Sequence, residues 1–176
     1  MEFAEFGISP TDEWAAFGLV RVFDVDYVRI RKPKPVGRTH IPIGWVVVKN
    51  PHGVRVTHKL PGGSKEATDK DPLKTFFREL WEEAHIVGNP RHTQYLGKEW
   101  MPESALGGAH WRIFFQTDIG RRKLARMNGD HPRSNGDKPE FTGLREFGYL
   151  VASRKFMPSH YKNLVKFGAI LKFNGA

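Results

Sequence analysis

Strand-like and helix-like stretches alternate along this chain, and that alternation predicts an α/β or α+β sandwich in which helices cover a sheet. Three observations carry the expectation. Residues 43–49 (IGWVVVK) and 54–59 (VRVTHK) are rich in β-branched residues and flank the turn NPHG at 50–53, so they read as a hairpin. Residues 73–87 (LKTFFRELWEEAHIV) place apolar side chains at helical spacing. Near the C-terminus, YKNLVKFGAILKF puts Leu164, Val165, Gly168 and Leu171 on one face of a second helix.

The elements between follow in order. Residues 18–31 (GLVRVFDVDYVRIR) alternate roughly between apolar and charged, as a half-buried strand pair does. Residues 32–40 (KPKPVGRTH) hold two prolines and a glycine and read as a loop. The hairpin runs into Leu60-Pro61-Gly62-Gly63, and a loop leads to Asp71-Pro72, a favoured helix cap followed by a favoured first helical residue. Gly88-Asn89-Pro90 is the expected stop of that helix. Residues 92–100 (HTQYLGKEW) and 110–118 (HWRIFFQTD) read as strands. Residues 119–139 read as a long basic loop with a short helix at RRKLARM, and a further strand is expected near 144–151 (LREFGYLV). No internal repeat is visible, and 176 residues suit one domain spanning 1–176 with one core.

Composition narrows the function classes. The chain has no cysteine, which excludes disulfides, zinc-thiolate sites and a cysteine nucleophile. Its first residues, MEFAEFGISPTDEW, are acidic and unlike a signal peptide. No stretch reaches the roughly 18 apolar residues of a spanning helix. These features together read as a cytoplasmic soluble protein without membrane association. With 28 basic and 19 acidic residues the net charge is +9, which attracts anions such as nucleotides or nucleic acid.

The chemistry concentrates in Arg78-Glu79-Leu80-Trp81-Glu82-Glu83. Helical residues are turned by about 100°, so Glu79, Glu82 and Glu83, at i, i+3 and i+4, share one face. Leu73, Phe76, Phe77, Leu80 and Ala84 share another that can pack on a sheet. Like charges at this spacing repel by about 0.2–0.5 kcal/mol per pair. Arg78 offsets part of that, and a divalent cation offsets it better, because Mg2+ wants hard oxygen ligands and completes its shell with phosphate oxygens. A solvated acidic face is the alternative for RExxEE by itself. The preceding Leu-Pro-Gly-Gly makes the arrangement more specific, since two glycines permit a sharp turn with uncrowded carbonyls.

Here the chain resembles the Nudix family, whose box reads G, five residues, E, seven residues, then R-E-U-x-E-E-x-G-U, with U a bulky aliphatic residue. Gly62-Gly63, Arg78 to Ala84 and Ile86 match, and the box itself spans residues 63–86. The span from Gly63 to Arg78 is one residue longer than the pattern. Counting forward for the early glutamate lands on Asp69, and counting back lands on Lys70. His85 replaces the helix-ending glycine, which moves the expected helix stop to Gly88.

The resemblance implies a Nudix-type α/β/α sandwich with a mixed central β-sheet. It also implies Mg2+-dependent hydrolysis, with Mn2+ as a possible substitute, of a diphosphate linkage in a nucleoside diphosphate-linked substrate by water attack at phosphorus. Carried over residue by residue, Glu79 and Glu83 are the main metal ligands, Glu82 a ligand or shared bridge, and the Gly63 carbonyl a further ligand. Arg78 holds Glu79 or Glu82 in place. The base is one of these glutamates or an acid from a later loop. Glu140, at the end of the long loop and just before a strand, is the candidate for that acid and for the metal, with Asp118 the second choice.

Other residues admit two readings each. His58, His92, His110, His131 and His160 lie far apart without zinc-ligand spacing. Trp100, Trp111 and Phe147 could stack a base or pack the core. Arg121, Arg122, Lys123 and Arg126 could contact phosphates or form a solvated face. The expected partner is a nucleotide-like small molecule, with nucleic acid possible but not favoured, in a monomer or homodimer. Two alternatives stand beside the hydrolase: a catalytically weak or inactive Nudix-fold binding or regulatory module, and a basic nucleic-acid-binding domain whose glutamate helix is only surface.

Overall fold

A computed structural model describes residues 3–24, 42–50, 53–103, 108–127 and 136–172. The expectations for 25–31 and 32–40, for the tip of the turn at 50–53, for His131 and for the middle of the loop at 119–139 fall wholly or partly outside those residues.

The chain begins with a short helix α1 (Phe3–Phe6) and a long strand β1 (Trp14–Phe23). Strands β2 (Gly44–Lys49), β3 (His58–Lys59) and β4 (Gly62–Ser64) precede helix α2 (Pro72–Ala84). Then come β5 (Thr93–Met101), β6 (His110–Gly120), a 3-10 turn at Arg121–Arg126, β7 (Lys138–Gly143), and helices α3 (Leu144–Ala152) and α4 (Pro158–Lys166). The main path of the sheet runs β3-β2-β1-β6-β5, with β4 paired to β1 and β7 to β2. β1 pairs in parallel with β6 and antiparallel with β2 and β4, so the sheet is mixed.

The free edge of β1 is shared. Ala15 to Phe17 pair with β4, while Val20 to Val22 pair with β2. The chain hops from one branch to the other across Leu60-Pro61, and the Pro61 carbonyl accepts from the Gly18 N–H at 3.0 Å. This split is what brings the two glycines of β4 in front of α2.

Alternation along the strands fills two cores. One face sends Ala16, Val20, Val46, Ile113 and Phe115 against Phe76, Leu80 and Ala84 of α2. The other sends Leu19, Trp45, Val47 and Phe114 against Phe147 and Leu150 of α3 and Leu164 of α4. Gly18 lets the Phe76 ring lie on the strand, because a Cβ there would meet that ring at 2.2 Å. Helices on both faces of a mixed sheet make an α/β/α sandwich.

Several sequence expectations need correction. Residues 144–151 form α3, not a strand: Phe147, Leu150 and Val151 stand at i, i+3 and i+4 and bury together. The strand belongs to Lys138–Gly143, which pairs with the whole of β2. Glu140 therefore lies inside a strand, opposite Val47, and not ahead of one. The second hairpin strand shrinks to His58–Lys59, because Thr57 closes a loop onto Asn50. Helix α2 stops at Ala84, not near Gly88, since His85 itself adopts the left-handed cap conformation at φ 52°. Helix α4 begins at Pro158 and ends before Gly168, whose φ is +70°, so Gly168 and Leu171 are not part of it.

Candidate active site

The site forms where β4 crosses the acidic face of α2. Asp71 caps the helix by accepting from the Lys74 N–H at 2.9 Å, and Pro72 opens it. The buried apolar face of α2 then fixes the opposite face toward β4. Gly62 sits at φ +139°, where a Cβ would strike the Ala16 carbonyl at 2.1 Å, so this passage requires glycine. Its N–H donates to Glu83 Oε2 at 2.7 Å. A Cβ on Gly63 would meet the Glu79 carboxylate, Oε1 at 2.5 Å. Both carboxylates thus lie directly under a strand stripped of side chains.

Arg78 organises one half of the cluster. Its Nη1 is 2.9 Å from both Glu79 Oε1 and Glu82 Oε2 and 3.3 Å from Glu66 Oε1. Its Nη2 donates to the Ser64 carbonyl at 2.8 Å and to Asp69 Oδ2 at 3.0 Å. Burial would raise the Asp69 carboxyl, but the hydrogen bonds and charge of Arg78 outweigh it and hold Asp69 below its ordinary range. Of the two positions for the early acid, Asp69 is the one that reaches Arg78.

Lys59 organises the other half. Its Nζ lies 2.9 Å from Glu83 Oε1 and 2.9 Å from Asp137 Oδ2. Burial alone would lower this ammonium, yet Glu83 and Asp137 together keep it above the ordinary lysine range. Burial pushes the Glu83 carboxyl up to about 7, against the pull of Lys59 and of the Gly62 N–H. Glu79 is also raised, again by burial. Among the described residues no three acidic or histidine side chains stand as a preformed cation cage.

No family model and no curated relative matches the sequence. Solved structures do match its backbone. The NUDIX hydrolase from Nitrosomonas europaea aligns at a TM-score of 0.60 over 94% of this chain and 100% of its own, with 12% identity. The MutT protein from Methanosarcina mazei Go1 aligns at 0.56 over 93% of this chain and 97% of its own, with 13% identity. The NUDIX domain of Shewanella oneidensis NrtR, solved in complex with ADP ribose, aligns at 0.54 over 96% and 97%, with 14% identity. The chain spans between 43% and 53% of the length of three further neighbours.

This chain has the Nudix fold. Within it, Gly63, Arg78, Glu79, Glu82 and Glu83 come together at the β4–α2 crossing. Glu140 is held elsewhere: its Oε2 is 3.0 Å from His58 Nε2 and its Oε1 3.5 Å from Lys49 Nζ. The later acid linked to α2 is instead Asp137, through Lys59. Sequence reasoning missed both Lys59 and Asp137. The available signal was the charge of Lys59 two residues before Pro61, beside a turn that needs burial; Asp137 had none.

The remaining candidates have ordinary structural settings. Asp118 forms a two-pronged pair with Arg21 across the β1–β6 ladder at 2.8 and 2.9 Å. His160 is buried and accepts from the Leu60 N–H at 3.2 Å, and burial, aided by Arg112 and Lys59, lowers it to about 3. His92 is exposed, and His110 binds the Gly108 carbonyl at 2.7 Å. Phe147 packs in the core against Trp45 and Phe156. Trp100 is half exposed and meets Trp111 edge-on at 5.0 Å. On the 3-10 turn, Arg121 pairs with Asp24 and Lys123 donates to the Val87 carbonyl, while Arg122 and Arg126 are exposed.

Proposed function

We propose that this chain is a divalent-metal-dependent hydrolase of the Nudix type that cleaves a diphosphate linkage in a nucleotide-like substrate. The observation that supports it best is the convergence of Glu79 and Glu83 beneath Gly62–Gly63, with Glu82 pinned beside them by Arg78. Carboxylates and a peptide carbonyl are the hard oxygen donors that Mg2+ and Mn2+ prefer. The same oxygens already attract an ammonium and a guanidinium, so positive charge is stable there. Glu79 and Glu83 would hold the ion, with Glu82 and the Gly63 carbonyl beside them. When bound, the ion neutralises phosphate charge and acidifies a water.

Each of the chain's own residues then has a task. Arg78 keeps Glu79 and Glu82 in one orientation without touching substrate, the role of an outer-shell partner. The base is one of the glutamates of α2 or an acid from a later loop. Asp137 is the acid offered by the later loop in place of Glu140. A nucleotide-like substrate is consistent with the ADP ribose of the NrtR domain and with the +9 charge of this chain. Neither membrane association nor nucleic acid is needed for this reading.

A turnover screen tests it, using nucleotides, nucleotide sugars, dinucleoside polyphosphates and capped RNA with Mg2+ or Mn2+. At least one class should be hydrolysed, and Glu83→Gln should cut the rate by about a hundredfold or more, as loss of one electrostatic element of a preorganised site does. Its unfolding midpoint should move little, because burial already disfavours the charged carboxylate and Asp137 keeps Lys59 paired. Silence across the whole panel with both metals would refute catalysis. The second reading, a Nudix-fold binding module, is favoured by one observation: Lys59 already neutralises Glu83. Tight nucleotide binding that is indifferent to metal and unaccompanied by turnover would select it.

A further inference from the structure

Both oxygens of Glu83 are engaged. Oε2 takes the Gly62 N–H at 2.7 Å, and Oε1 takes the Lys59 ammonium at 2.9 Å. Lys59 completes its bridge on Asp137 at 2.9 Å. The three side chains are not equally enclosed: Glu83 and Asp137 are 6% and 11% exposed, and Lys59 is 22% exposed. The ammonium is thus held between two enclosed carboxylates. A carboxylate oxygen that holds an ammonium at this distance cannot also hold a divalent ion without bringing two positive charges into near contact. Lysine is suited to leave such a place, because it carries a point charge on a flexible four-carbon stem, unlike the fixed fork of Arg78.

We propose that Lys59 is an internal cation latch, whose ammonium occupies the place between Glu83 and Asp137 and must swing out before Glu83 can hold a divalent ion. The released ammonium then faces the anionic phosphates that the metal recruits. This inference rests on the hydrolase reading above and adds the order of events: cation exchange at Glu83 precedes substrate binding.

The test measures metal binding and lysine exposure directly. Mn2+ binding is followed by the electron paramagnetic resonance of the free ion for the wild type, Lys59→Met and Glu83→Gln. In parallel, the acetylation rate of Lys59 in the wild type is read by mass spectrometry with and without saturating Mg2+. Lys59→Met should bind Mn2+ about tenfold tighter or more, the size of a typical coupling between linked sites, and Glu83→Gln should bind it more weakly. Mg2+ should speed acetylation of Lys59 several-fold and leave the exposed Lys162 of α4 unchanged. Equal or weaker Mn2+ binding by Lys59→Met, or acetylation of Lys59 that ignores metal, would overturn the latch and leave the hydrolase reading standing. Failure of the wild type and Lys59→Met alike to bind Mn2+ would overturn the hydrolase reading itself. The acetylation arm uses the unaltered chain, so it decides the matter even if Lys59→Met does not fold.

Discussion

Two basic side chains serve the same acidic face of α2, and they do so in opposite ways. Arg78 lies within the helix and spreads its fork over Asp69, Glu79, Glu82 and the Ser64 carbonyl. Lys59 arrives from the sheet and joins Glu83 and Asp137. The first ties the loop before α2, strand β4 and the helix into one body. The second ties two side chains together. A planar donor with many fixed bonds is structural; a point charge with two partners is exchangeable. One site therefore contains a permanent counter-ion and a removable one.

The largest break of that contrast is Arg78→Met. Removing one member of a buried charge network typically costs about 3–5 kcal/mol, since its acids are left unpaired. Asp69, Glu79 and Glu82 would all lose their cation here, so urea unfolding at pH 7 should show a loss in that range. Glu66, nearly half exposed, adds little to it. Lys59→Met should cost less, about 1–3 kcal/mol, because its partners are fewer. If the two losses are equal, the division into permanent and exchangeable cations is wrong.

What was legible in the sequence follows the same division. Arg78 and its glutamates are neighbours along one helix, so spacing alone sets their shared face, and the cap at Asp71-Pro72 sets its start. Asp69 was reachable by counting from Gly63. Lys59 and Asp137 meet only because β7 pairs with β2 while β3 pairs with the same strand near Lys49. No local pattern encodes that meeting. The same long-range pairing hid the role of 138–143 as a strand. The misreading of 144–151 has another cause: Phe147, Leu150 and Val151 satisfy a helical period, while a run rich in aromatic and branched residues also suits a buried strand, and short apolar runs leave that choice open.

Acid titration sharpens the comparison on the Lys59 side. His160 is held down to about 3 from an ordinary 6.5, so the folded chain binds fewer protons than the unfolded one between those pH values. Its contribution is full above pH 6.5 and declines as pH falls toward 3. Glu83, raised from 4.5 to about 7, acts oppositely and adds stability as pH falls from 7 to 4.5. The two oppose each other as pH falls from 7 to 4.5, and at lower pH His160 and Asp69 both withdraw stability. In Glu83→Gln the counterweight is gone, so about 2 kcal/mol should already be lost at pH 5 relative to pH 8. Urea unfolding of both forms at pH 8, 5 and 4 checks this, and parallel curves would remove Glu83 from the account.

The smallest expected effect lies at the end of α2, one residue past Ala84. His85 occupies a left-handed cap at φ 52°, with its N–H on the Trp81 carbonyl at 2.8 Å and its ring edge-on to Trp81 at 4.9 Å. A side chain in this conformation costs about 1–2 kcal/mol, which glycine avoids at the expense of a more flexible unfolded chain and the lost ring contact. His85→Gly should therefore stabilise the protein by about 0.5–1 kcal/mol in thermal or urea unfolding. It should leave both the Mn2+ affinity and the metal response of Lys59 acetylation unchanged, because neither cation touches the cap. A change in either would mean that the helix end, and not the choice between arginine and lysine, governs how readily Glu83 gives up its ammonium.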